Sequence, residues 1–365
     1  MEKKHIAMFI SSLNKGGSER VLVNLAEYFY SRGYAVTIVT QYKSENEYGI
    51  SDGIRRVFSE ITQEEMGNGR ISNFFRRFAK LRRIWKEEKP DLILSFIGKN
   101  NMMAIMTSRR LHIPVVVSVR GEPAEEYNSP LLKRAASFLF RFADGIVFPV
   151  EKSMDFFPGA VRKKAVCLKN PLNPAFIRPV YDGEREKQIV AVGRVDANKN
   201  HEMIIRAFAG LAEKYPDYRL VIYGEGDLRP SLLRMAEEMG LKDRVLLPGS
   251  ISDVASAIYK ASFFVLSSYS EGMPNTLIEA MALGIPSIST DCPCGGPAEL
   301  IEDGVNGYLI EPGDWEKLQD ILQKLVDDPR LAQKVGENAA KIQETLNPDR
   351  MNKMWEDYFC KWLKG

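Results

Sequence analysis

Short, almost continuously apolar runs alternate with amphipathic helical stretches along this chain, and the alternation starts twice. Residues 5–11, 35–40, 92–96, 115–119 and 145–149 are apolar runs of strand length. Between them, residues 19–31 place Val21, Leu22, Leu25, Ala26 and Phe29 on one helical face, and helices are expected near 71–88, 100–111 and 130–142. Strands without a polar face, separated by helices, predict a parallel sheet covered on both sides. Asn170-Pro171-Leu172-Asn173-Pro174 interrupts this pattern as a turn-rich linker. The alternation then resumes, with strands expected at 189–192, 219–223, 245–247, 263–266 and 287–290 and helices near 200–214, 229–239, 254–261 and 275–283. The expectation is two doubly wound α/β domains, 1–172 and 173–347, with a final helix, 348–365, packing back toward the first. Open parallel sheets bind ligands beyond the carboxyl ends of their strands, so two such domains are expected to face each other across a ligand-binding cleft.

A chain of 365 residues is long for one hydrophobic core, which agrees with two domains. No stretch approaches the roughly 18 apolar residues of a spanning helix, and the first apolar run is too short for a secretion signal. A cytoplasmic location is therefore expected. Cys167, Cys292, Cys294 and Cys360 lack metal-site spacing, and His5, His112 and His201 are scattered, so reduced thiols and no metal site are expected. The charge is uneven. Residues 1–175 hold 28 Lys+Arg against 18 Asp+Glu, a balance of +10, while the remainder holds 22 against 30, or −8. A basic first half suits an anionic partner such as a diphosphate or a membrane surface.

Four groups follow expected strands. Asn14-Lys15-Gly16-Gly17-Ser18 joins the first strand to the first helix, where two glycines and a helix start favour close approach of a phosphate. A tight turn with a Ser18 cap explains the same residues, and the GxxxxGK[ST] pattern is missing. Gly193-Arg194 with Lys199-Asn200 offers an arginine fork and a lysine point charge, a pair suited to a diphosphate. Glu271-Gly272-Met273-Pro274-Asn275-Thr276 leads into a helix carrying Glu279, so turn amides and two carboxylates can meet phosphate and sugar oxygens. Arg120-Gly121-Glu122 follows a strand of the first domain and is expected to face the cleft. No D-x-D occurs, so the leaving diphosphate is expected to be neutralised by Arg194, Lys199 and helix termini rather than by a metal ion.

In this order and at these spacings, the groups resemble retaining glycosyltransferase family 4, whose GT-B fold pairs two Rossmann-like domains. The resemblance rests on Gly16-Gly17, on Gly193-Arg194 with Lys199-Asn200, on Gly224-Glu225-Gly226, and on Glu271 and Glu279 as an E-x7-E pair. It implies that Gly17 meets the donor diphosphate through its backbone and that Arg194 and Lys199 bind that diphosphate. It implies that Glu279 holds the ribose and that Glu271, with the amides of Gly272, Met273, Asn275 and Thr276, contacts the transferred sugar. It places Gly224 and Gly249-Ser250-Ile251 beside the base, with uridine expected. Many members carry a His where this chain has Arg120, which resembles the subgroup that elongates lipid-linked glycans with N-acetylhexosamine donors. The implied catalytic set is Glu271, Arg194, Lys199 and Arg120, with no metal or other cofactor.

The acceptor side is read from residues 71–85. Phe74, Phe78, Leu81 and Trp85 lie at helical spacing among Arg76, Arg77, Lys80, Arg82 and Arg83. Either this is a core helix with a basic outer face, or it is a surface helix drawn to anionic lipid. No nucleic-acid partner is expected. Three other functions compete with transfer: a sugar-nucleotide epimerase on the same plan, a dinucleotide-dependent oxidoreductase, for which no GxGxxG follows the first strand, and a non-catalytic sugar- or lipid-binding module.

Overall fold

A computed structural model describes residues 3–363. The chain forms two compact units, Met1–Pro171 with Asp349–Gly365, and Leu172–Pro348.

The first unit holds β1 (His5–Ile10), β2 (Ala35–Thr40), β3 (Arg55–Phe58), β4 (Leu92–Phe96), β5 (Val115–Ser118), β6 (Gly145–Phe148) and β7 (Ala165–Cys167). They form a seven-stranded sheet in the order β3-β2-β1-β4-β5-β6-β7. Every pairing is parallel, with Ile6 opposite Val36 on one side and Leu92 on the other. Successive side chains of β1 feed different cores, as strand alternation requires. Ile6, Met8 and Ile10 pack with Leu22, Leu25 and Phe29 of helix Gly17–Ser31 and with Trp355 and Phe359 of helix Pro348–Leu363. Phe29 and Phe359 stack at 5.3 Å. Ala7 and Phe9 pack on the opposite face with Leu81, Ile84 and Trp85 of helix Arg70–Glu88. Burying each such aliphatic or aromatic side chain contributes roughly 1.5–3 kcal/mol.

The second unit repeats the plan with β8 (Glu186–Val192), β9 (Arg219–Tyr223), β10 (Val245–Gly249), β11 (Ala261–Leu266), β12 (Ser287–Thr290) and β13 (Tyr308–Ile310). The order is β10-β9-β8-β11-β12-β13, again all parallel. Its core gathers Ile189, Ala191, Leu220, Ile222, Phe263 and Val265 with Ile204, Phe208 and Leu211 of helix His201–Lys214.

Three strands, β3, β7 and β13, fall outside the sequence expectation. All three stand at sheet edges, where one neighbour suffices and a strand has no need to be apolar on both faces. β3 reads Arg-Arg-Val-Phe, and β7 and β13 have three residues each.

Helix Arg70–Glu88 divides the two readings of its sequence. In its last turns Leu81, Ile84 and Trp85 are buried, and Trp85 Nε1 donates to Thr107 Oγ1 at 2.9 Å. In its first turns Ile71, Phe74 and Phe75 are exposed. Its basic residues mostly hold neighbouring chain: Arg77 pairs with Glu60, Lys80 with Glu65, and Arg82 donates to the carbonyls of Thr107 and Arg109. Among the described residues no helix is long and apolar enough to cross a membrane.

Candidate functional site

Each sheet reverses its strand order once at its first strand, between β1 and β4 and between β8 and β11. Loops leaving the carboxyl ends of two such strands run in opposite directions and open a crevice there. Both crevices carry residues singled out by the sequence.

In the second unit the loop after β8 meets the loop after β11. Lys199 Nζ forms a short ion pair with Glu271 Oε1, and Ser268 Oγ donates to the same oxygen at 2.6 Å. The Lys199 and Glu271 side chains are 15% and 14% exposed, so the pair is largely withdrawn from water and electrostatically strong. Further hydrogen bonds lock the two loops together. Tyr269 N donates to Asn198 O at 2.8 Å, Asn198 Nδ2 to Ser270 O at 2.9 Å, and Ser267 Oγ to Lys199 O at 2.7 Å. Behind Glu271, Thr290 Oγ1 donates to Ser268 O at 2.6 Å, and Cys294 Sγ lies against Glu271 O. Gly296, in the loop after β12, packs directly on this loop: a Cβ there would stand 1.6 Å from Gly272 O.

Arg194 behaves differently from Lys199. Its side chain is 76% exposed and its guanidinium lies 3.2 Å from Asp196. Directly after Lys199, Asn200 adopts φ 46 and helix His201–Lys214 begins. His201 is buried, and that burial, with Lys199 nearby, pushes its imidazole down to about 4.

Glycine backbones line the rest of this edge. Gly193 N donates to Tyr223 O at 3.0 Å, Val195 N to Glu225 O at 2.8 Å, and Gly224 N to Gly249 O at 3.0 Å. Gly224 has φ 151, and a Cβ there would stand 1.7 Å from Gly193 O. The carboxyl ends of β8, β9 and β10 thus meet backbone to backbone, with exposed Ser250 and half-buried Ile251 just beyond. Met273 is buried ahead of helix Asn275–Ala282, where Asn275 and Thr276 are half-buried and Glu279 is buried one turn in. The structure therefore assembles Gly193, Lys199, Gly224, Gly249, Glu271 and Gly272 along one edge and turns Arg194 toward solvent.

In the first unit the hydrogen bonds that link the loops at the crevice run between neutral side chains. Asn100 Nδ2 donates to Ser11 Oγ at 3.0 Å, and Gln41 Nε2 donates to Asn100 Oδ1 at 2.9 Å. Gly16, at φ −113, precedes helix Gly17–Ser31, whose Ser18 makes no cap hydrogen bond. The sequence reading expected Arg120 to face the cleft; the structure packs it inside the first unit. Its guanidinium is buried, bonds Asn170 Oδ1, and lies 5.2 Å from the Phe96 ring and 6.0 Å from that of Trp355. Aromatic faces and an amide oxygen offset part of the desolvation, and burial still draws the group down to about 10. Glu126 pins the surrounding loops, accepting from the amides of Gly98 at 2.8 Å, Gly121 at 2.6 Å and Arg120 at 3.1 Å.

Ser268, Asn198, Asn100 and Glu126 escaped the sequence reading. Ser268 and Asn198 had a usable signal, since each lies within a few residues of a strand's carboxyl end. Asn100 and Glu126 sit inside segments read only as helix or loop. Among the described residues no group of three or more His, Cys, Asp or Glu is placed to hold a metal ion.

Two tandem parallel sheets with glycine-lined turns after the first strand of each define the GT-B class. The model of Glycosyltransferase Family 4 matches residues 15–160, and that of Glycosyl transferases group 1 matches residues 176–342. The chain is 36% identical, over 93% of its length and 94% of the other, to the Campylobacter jejuni N-acetylgalactosamine-N,N'-diacetylbacillosaminyl-diphospho-undecaprenol 4-alpha-N-acetylgalactosaminyltransferase. A second Campylobacter jejuni relative, an alpha-1,4-N-acetyl-D-galactosaminyltransferase named for a diphospho-undecaprenol-linked GalNAc glycan, is 27% identical over 96% of both chains. Among solved structures, Anabaena HepE in complex with UDP superposes with a TM-score of 0.81 at 18% identity, covering 98% of this chain and 100% of the other. The chain belongs to glycosyltransferase family 4.

Proposed function

We propose that this chain is a retaining, metal-independent glycosyltransferase that moves a hexose or N-acetylhexosamine from a UDP-sugar to a polyprenyl-diphosphate-linked glycan. The observation that carries the reading is the withdrawn Lys199–Glu271 pair at the β8/β11 crevice, flanked by glycine backbones. A lysine held there by a carboxylate is preorganised to stabilise negative charge developing on a leaving diphosphate. Arg194, extended toward solvent, adds a second cation on the phosphates. Glu279 takes the ribose hydroxyls, and the 224–226 turn and 249–251 segment take the base. Glu271, with the amides of Gly272, Met273, Asn275 and Thr276, takes the sugar. Gly17 approaches the diphosphate through its backbone, and Arg120 serves from behind by holding its loop.

In the reaction, the bond from the anomeric carbon to the diphosphate oxygen breaks and a bond to the acceptor hydroxyl forms on the same face. The hydroxyl proton passes to the leaving diphosphate. The lipid acceptor is suggested by the names of the two Campylobacter relatives, and UDP by the ligand named for Anabaena HepE. Exposed Ile71, Phe74 and Phe75 at the start of helix Arg70–Glu88 support peripheral attachment to an anionic membrane surface on the cytoplasmic side.

The test is to incubate the protein with a panel of nucleotide-sugars and undecaprenyl-diphosphate glycans in EDTA, then to read the product's anomeric configuration by NMR. An α-linked product from a UDP-sugar is expected. A β-linked product removes the retaining mechanism, loss of activity rescued by Mg²⁺ removes metal independence, and a new UDP-sugar formed without acceptor makes the chain an epimerase.

A further inference from the structure

The loop after β2 lies along the turn that precedes helix Gly17–Ser31. Tyr48 N donates to Leu13 O at 2.9 Å and Lys15 N to Asn46 O at 3.2 Å, while Asn14 and Glu47 form an antiparallel bridge. Ser44 Oγ donates to Asn14 Oδ1. At the centre sits the Glu47 carboxylate. Oε1 accepts from Ser44 N at 3.0 Å, from Leu13 N at 3.4 Å and from Arg56 Nη2 at 2.9 Å, and Oε2 accepts from Arg56 Nη1 at 2.6 Å. Arg56 comes from the edge strand β3 and also reaches Thr40 Oγ1 at 3.3 Å.

An ion pair on an edge strand is ordinarily a solvated decoration worth little. This one differs on two counts. The Glu47 side chain is only 9% exposed, and its oxygens collect amides from two different loops as well as a two-pronged arginine fork. The fork holds the carboxyl down to about 2, so Glu47 stays charged at any pH at which an assay is run.

We propose that Glu47, held by Arg56, is a positioning residue for the Gly16–Gly17 turn, strapping the loop after β2 onto it and so setting its contact with the donor diphosphate. This rests on the reading above that the turn meets that diphosphate.

The test uses the full-length protein, a UDP-sugar and a lipid-linked acceptor. Glu47→Gln is expected to raise the donor KM about tenfold while leaving the acceptor KM within twofold and kcat within about threefold. Arg56→Gln is expected to act in the same direction, and Arg56→Lys, which keeps the charge but loses the fork, less strongly. Calorimetric titration with UDP is expected to show a matching loss of affinity. Should Glu47→Gln fail to fold, the two Arg56 variants carry the test. Gly17→Val separates the possible failures. If it abolishes turnover while the Glu47 and Arg56 variants keep a normal donor KM, the strap is overturned and the diphosphate reading stands. If Gly17→Val is itself normal, both fall. A drop in kcat with both KM values intact marks general damage to the fold and also overturns the proposal.

Discussion

The two crevices of this molecule are built on one topology and tied together by different contacts. Where β8 and β11 part, a lysine and a glutamate face each other, withdrawn from water. Where β1 and β4 part, Ser11, Asn100 and Gln41 form a chain of neutral hydrogen bonds. The loops beside the crevices are also held differently. After β8, backbone meets backbone at Gly193 and Gly224. After β1, a half-buried carboxylate and an arginine fork do the holding. The contrast follows from the side chains available. Where glycine lets two chains touch, no side chain is needed between them; where the neighbouring loop is long and polar, it needs a charged anchor.

The largest expected effect breaks the glycine seam. Gly224→Ala puts a Cβ 1.7 Å from Gly193 O at φ 151, so backbone must move. Overpacking and backbone strain together predict a loss of about 3–5 kcal/mol. Gly16→Ala is the control. The atom its Cβ would meet, at 2.3 Å, is the end of the flexible Glu19 side chain, and its φ is −113, so it is expected to cost under about 1 kcal/mol. Urea unfolding of both variants measures the gap, and equal losses would dissolve the distinction between the two loops.

Much of this contrast was legible in the sequence, though unevenly. Gly16 was found because a glycine pair after an apolar run marks a turn where a chain or a ligand comes close; Gly193 came with Arg194 and Lys199, and Gly224 only through the family resemblance. Lys199 and Glu271 were each found, but not their pairing, because partners 72 residues apart meet only through strand order. The inward turn of Arg120 had no local sign. It depends on Asn170, at the end of the first unit, and on Trp355, on the returning helix. The edge strands were hidden for a related reason: periodicity reports burial on two faces, and an edge has less of it.

A second prediction tests the charge contrast. Lys199→Ala removes the cation from the charged crevice and leaves Glu271 without its ion-pair partner. Turnover is expected to fall about a hundredfold, equivalent to roughly 2.7 kcal/mol of transition-state stabilisation. Near-normal turnover in both Lys199→Ala and Arg194→Ala would remove the diphosphate from this crevice and with it the reason for the contrast.

The smallest effect concerns how each helix begins below its loop. Helix Gly17–Ser31 starts on glycine, whereas helix His201–Lys214 starts on a buried imidazole whose Nδ1 has no hydrogen-bond partner. Burial holds His201 near 4 instead of the usual 6.5. Between those values the unfolded chain takes up a proton that the folded chain refuses, so stability is full above pH 6.5 and drains away as pH falls toward 4. The linkage amounts to about 2 kcal/mol between pH 7 and pH 5. His201→Gln, which cannot titrate, is expected to flatten this part of the profile when denaturant midpoints are followed from pH 7.5 to 4.5. The variant's midpoint at pH 7 also carries any change in packing, so the slope is the quantity that decides. Parallel slopes for wild type and variant would show that His201 is already able to ionise when folded. Lys199 would then stand beside a second cation at mildly acid pH, and the Lys199–Glu271 crevice would carry a pH dependence of its own.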